Sequence, residues 1–125
     1  MLTLPPSVRI YVARGATDIR KGIDGLCAAA RDVVGENPFT GHLFAFANRR
    51  RDAVKILVWD RSGFWLFYKR LERGTFQWPA ENEKSRRIEM RSRDFYAILE
   101  GLDLATAKWR ARLDGLPAVE GQMNQ

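Results

Sequence analysis

The chain has 125 residues, 46% of them hydrophobic and 29% charged, which suits one domain with one core that needs no metal or disulfide to fold. Its 21 Lys and Arg outnumber 15 Asp and Glu, and a net charge of +6 makes a polyanion the natural partner, nucleic acid ahead of an anionic membrane because no basic amphipathic helix stands out. One cysteine, Cys27, and one histidine, His42, exclude a disulfide framework and a structural zinc site. Residues 1–6 lack the basic and apolar regions of a secretion signal, and no apolar run is long enough to span a bilayer, so a cytoplasmic location without membrane contact is expected.

In chain order, residues 8–13 alternate, with Val8, Ile10 and Val12 on one face, and read as a strand. From Asp18 the spacing changes to three and four. Ile19, Ile23, Leu26, Cys27, Ala30, Val33 and Val34 share a face, with Thr17 or Asp18 placed to cap the start and Gly35 the end, which predicts one long amphipathic helix. Residues 36–41 are turn-rich. Three runs rich in β-branched and aromatic residues follow, 42–47, 54–59 and 64–71, joined by the short polar connections 48–52 and 60–63. They predict an antiparallel β-meander whose second turn is of type I, with Gly63 left-handed. Beyond a linker-like stretch at 80–85, residues 86–91 predict a short strand, and Ser92 a cap for a helix burying Phe95, Ile98, Leu99 and Leu102. Residues 104–113 continue helically around Trp109, and the tail is too poor in apolar residues to be ordered. The expected fold is α+β: an antiparallel meander of three to five strands packed with one long helix and one or two shorter C-terminal ones. Residues 1–104 form the domain and 105–125 an extension and tail.

If Trp59 pairs with Phe64, one face of the hairpin carries Leu57, Trp59, Phe64, Leu66 and Tyr68, and the other Val54, Ile56, Val58, Trp65 and Phe67. A sheet apolar on both sides needs cover on both, so most of these aromatics belong to the core.

Residues 48–74 hold eight basic residues against three acids, most of the net charge of the chain. The basic residues concentrate at Arg49, Arg50 and Arg51 and at Lys69, Arg70 and Arg73. In a meander the first turn and the end of the third strand lie toward the same edge, which gives one basic rim able to hold phosphates. Trp78, if exposed, would stack on an unpaired base beside it. The competing view is a solvated edge whose charges discourage aggregation. Arg20 and Lys21 fall in the first turn of the expected helix, where cations are misplaced against the macrodipole, and form a second basic patch unless Asp18 and Asp24 neutralise them.

Catalysis finds little support. Cys27 lies on an apolar helix face and His42 at a strand end, so neither builds a nucleophilic centre. Asp52 and Asp60 sit at opposite ends of one strand, about 25 Å apart by strand rise, and cannot share a metal ion. Residues 15–22 lack the Gly-Lys-Ser/Thr ending of a phosphate-binding P-loop. The expectation is a protein without catalytic residues, cofactor or metal.

Four motifs in order carry a resemblance: DIRKGIDGL at 18–26, GHLFAFANRR at 41–50, KILVWD at 55–60, and WLFYKRLERG at 65–74 followed by Trp78-Pro79. Together they resemble the Orf2-like (TnpB) accessory proteins of the insertion sequence 66 family of bacterial transposable elements, over residues 4–104. The resemblance implies a role in transposition beside a separate transposase that cuts and joins DNA, and it implies no catalytic residues. The residues add a mechanism: contact with DNA, at element ends or in a transposition intermediate, through the basic, aromatic-interleaved surface. The alternative is an adaptor that docks onto the transposase or another element-encoded protein through surplus apolar surface. A homodimer fits either.

Overall fold

All five side chains of Leu43–Ala47 (β2) are buried, although a strand presents alternate residues to opposite faces, so both faces of the sheet are covered there. The computed structural model, which describes residues 4–100, shows what covers them. Strand β1 (Ile10–Ala16) leads to helix α1 (Ile23–Ala29), one wide turn over Ala30–Val34, and β2. Strands β3 (Ala53–Asp60) and β4 (Gly63–Arg70) complete a meander, and β5 (Arg87–Met90) precedes helix α2 (Ser92–Leu99). Across the sheet the strand order is β4-β3-β2-β1-β5.

On one face Leu26, Cys27, Ala30 and Val34 pack against Tyr11, Phe44, Phe46 and Leu57. On the other, Phe95, Ile98 and Leu99 of α2, with Phe76 and Trp78 from the segment after β4, cover Ile10, Val12, Ala45, Val54 and Ile56. Each large side chain removed from water contributes about 1.5–3 kcal/mol. The two-sided cover expected from the hairpin is therefore present. The pairing of Trp59 with Phe64 is present as well and fixes the register of β3 and β4.

Four expectations are corrected. The sheet is mixed: β1 runs parallel to β2, because α1 carries the chain back to the starting end, while β1–β5, β2–β3 and β3–β4 are antiparallel. The helix is short, starting at Ile23 after Gly22; Ile19 is buried, but from the preceding loop, where its four-residue distance from Ile23 imitates a helical turn. In the second turn Arg61, not Gly63, has positive φ (+48°), and Asp60 pairs with Gly63 around a two-residue loop. Ser92 is the first residue of α2 rather than its cap. Leu102, the stretch 104–113 and the tail lie outside the described residues.

Candidate functional site

The surface around the turn between β2 and β3 is built by Asn48. Its backbone carbonyl accepts from Arg51 N–H at 3.1 Å, and its side-chain oxygen accepts from the N–H groups of Asp52 and Ala53 at 3.1 and 3.2 Å. Its amide donates to the Asp52 carboxylate at 2.7 Å. These bonds tie the loop to its own base and leave Arg49 and Arg50 at the tip, both exposed. Arg51 closes the turn in the left-handed region (φ +59°), where a side chain is disfavoured by about 1–2 kcal/mol, and its carbonyl accepts from Phe76 N–H at 2.7 Å.

The end of β4 arrives beside this turn, as the sequence predicts. Arg70 pairs with Ala53, and Leu71 N–H donates to the Asp52 carbonyl at 2.7 Å. Arg70 and Arg73 are exposed. Alternation along β4 splits the rim, however: Lys69 points to the opposite face from Tyr68 and Arg70. Its ammonium donates to the Leu99 carbonyl at 2.6 Å, at the end of α2, where a cation also suits the helix dipole.

The second patch joins the first. In β1 the four-residue step from Val12 to Ala16 is matched by a two-residue step in β2, Ala45 to Ala47, with Gly15 at φ +72° inside this bulge. The bulge turns the chain, and Thr17 N–H then bonds the Ala47 carbonyl at 2.8 Å, which sets the 17–21 loop beside the Asn48 turn. The loop rests on α1 where Gly25 leaves room: a Cβ there would come 2.7 Å from Lys21 Cβ. Arg20 and Lys21 thus precede the helix, and neither is a cation misplaced in its first turn. Arg20 forks onto Asp18, Nε to Oδ1 at 2.9 Å and Nη2 to Oδ2 at 3.0 Å. These bonds and the Arg20 N–H hold the Asp18 carboxyl at about 2, below the usual carboxylate range. Asp18 therefore compensates Arg20, as the competing view of this patch holds. The side chain of Lys21 is exposed.

Between loop and turn lies a cavity of about 800 Å³ lined by Asp18, Arg20, Arg49, Arg50, Lys55 and Tyr68 together with small and apolar neighbours. Lys55 and Tyr68 are directly opposite each other on β3 and β4. The Lys55 ammonium lies 5.8 Å from the Tyr68 ring centroid and donates to the Lys21 carbonyl at 3.3 Å. Neither residue was placed in the site by its sequence, although continuing the Trp59–Phe64 register puts them face to face.

Trp78 is a correction. It is only 5% exposed, and its indole N–H donates to the Ala13 carbonyl at 2.8 Å, so it is core and offers no face to a base. The exposed aromatics of β4 are Trp65 and Tyr68, on opposite faces. Cys27 is buried, which pushes its thiol pKa up, and His42 Nδ1 accepts the Arg9 N–H at 3.0 Å. Among the described residues no three His, Cys, Asp or Glu are grouped to hold a metal ion. No helix of those residues is long and apolar enough to cross a membrane.

The family model described as IS66 Orf2 like protein matches residues 8–109. The chain belongs to the IS66 Orf2-like family. It is similar to two proteins of Sinorhizobium fredii (strain NBRC 101917 / NGR234). With Uncharacterized protein y4hO it shares 40% identity over 80 residues, 64% of this chain and 70% of the relative. With Uncharacterized protein y4jC it shares 34% over 101 residues, 81% and 85% of the two chains. No solved structure matches. Membership in the IS66 Orf2-like family associates the chain with transposition in an accessory role.

Proposed function

We propose that this protein is a non-catalytic accessory factor of transposition that binds element DNA, at its ends or in an intermediate, through the basic surface around the Asn48 turn. The observation that carries the reading is convergence. Arg49 and Arg50 at the turn tip line one concavity with Arg20 from the 17–21 loop, while Arg51, Arg70 and Arg73 stand exposed beside it. Exposed guanidinium groups bind phosphate oxygens without reading sequence, which suits a factor that assists a separate transposase. A local cost favours function over stability as the reason for the charge at the turn. Arginine takes the left-handed position at Arg51, beside this concavity, where glycine is the undemanding choice.

The test is fluorescence-anisotropy titration of single- and double-stranded oligonucleotides, an element end included, across a range of salt. Contact with about five phosphates predicts a log–log slope of about −4 to −5 on duplex. Absence of binding at low salt would sink the proposal.

A second reading, docking onto the transposase or another element-encoded protein, is favoured by the exposed Trp65 on the edge strand β4. Trp65 lines an apolar cavity with Leu4, Leu43, Val58 and Phe67. Association through that face would be nearly indifferent to salt, and its failure to respond to the arginine substitutions would separate it from DNA binding.

A further inference from the structure

We infer that the concavity beside the Asn48 turn takes an unpaired nucleotide, its base stacked on Tyr68 and its phosphate held by Arg49 and Arg50; this rests on the nucleic-acid reading above and names its substrate class. Tyr68 is 57% exposed, whereas its same-face neighbours on the strand, Leu66 and Phe64, are partly buried against the core. Its ring lies in the wall of a cavity of about 800 Å³ whose charged residues are four cations and one acid. That volume lies within the range of about 300–1,000 Å³ found for small-ligand sites. Trp65, equally exposed, is on the other face of the strand, away from these cations.

The ring is also positioned. Lys55 stands opposite it on β3, and its ammonium, held by the Lys21 carbonyl, lies over the ring at 5.8 Å from the centroid, covering part of one face from the side of the 17–21 loop. A base laid on the free part of the ring gains stacking, and the adjoining cations meet its phosphate. Asp18 is the opposing charge in the cavity, and the Arg20 fork occupies both its oxygens while leaving other guanidinium N–H groups free to donate. In a duplex the base faces are covered by their neighbours, so only a single strand, a frayed end or an extruded base can present a face to Tyr68.

The experiment compares a short thymidine oligonucleotide with a blunt duplex in anisotropy titrations at fixed salt, using wild type, Tyr68→Ala and Tyr68→Phe, each checked for folding by circular dichroism. Expected is a loss of about tenfold in single-strand affinity for Tyr68→Ala, near-wild-type binding for Tyr68→Phe, and a change of less than about twofold on duplex for both. Equal losses on both DNAs, no loss for Tyr68→Ala, or an equal loss for Tyr68→Phe would overturn the stacking inference while leaving the basic surface in place. No binding of either DNA by wild type would overturn both.

Discussion

The Trp78 indole donates to the Ala13 carbonyl at 2.8 Å and so fastens the segment after β4 to an interior strand of the sheet. With Phe76 beside it, this segment supplies part of the cover over the α2 face of the sheet. Trp78→Phe leaves a buried carbonyl short of a donor and should cost about 1–2 kcal/mol in urea unfolding; Trp78→Ala should cost about 3–5 kcal/mol. The folded Trp78→Phe variant should bind DNA as wild type does, and a selective loss of single-strand binding would restore the base-stacking role.

Arg51 links stability and binding with opposite signs. Glycine at this position relieves the left-handed conformation (φ +59°) and keeps the bond from Phe76 N–H to the residue's carbonyl. Arg51→Gly should raise stability by about 0.5–1 kcal/mol and weaken DNA binding by about two- to fivefold. Chemical denaturation and anisotropy on the same preparation test both parts. A destabilised variant would contradict the assignment of Arg51 as a residue kept for its charge.

Asp18 gives the pH prediction. Its pKa in the folded protein, about 2, lies below its ordinary 3.8, so the ionised form is favoured by folding. That contribution is fully present above pH 4 or so, roughly the unfolded value, and is lost as pH falls through about 2; near neutrality stability should not respond to this group. In Arg20→Ala, carboxyl NMR should find the Asp18 titration moved back toward 3.8, because the first cause of the shift is the Arg20 side-chain hydrogen bond. An unmoved midpoint would show that the fork does not persist in solution. Asp18→Asn, which removes the one acid from the cavity, should raise DNA affinity by about three- to fivefold at low salt.

Much of this was legible in the chain because the meander is written in local pattern. Trp59 and Phe64 flank a turn too short to allow other pairing, and their register carries through to Ala53 and Arg70. The parallel pairing of β1 with β2 is not written in local pattern, although a strand, a helix and a strand in succession imply a crossover back to the same end. The start of α1 is not legible in the spacing because Ile19 is buried by tertiary packing and not by helical periodicity. Trp78 is a related case: it lies outside any strand or helix pattern in the sequence, but its neighbours in space are the core. The union of the two basic patches depends on the bulge at Gly15, a feature of backbone geometry that composition does not reveal.

The most direct test of the central claim is the salt dependence of duplex DNA binding in wild type and in a triple Arg49→Ala, Arg50→Ala, Arg51→Ala variant. If the Asn48 turn carries phosphate contacts, the triple change should weaken binding and flatten the log–log slope by about 2–3, the loss of three counterion-releasing contacts. An unchanged slope would contradict the claim and move the search for this protein's partner to the apolar face around Trp65.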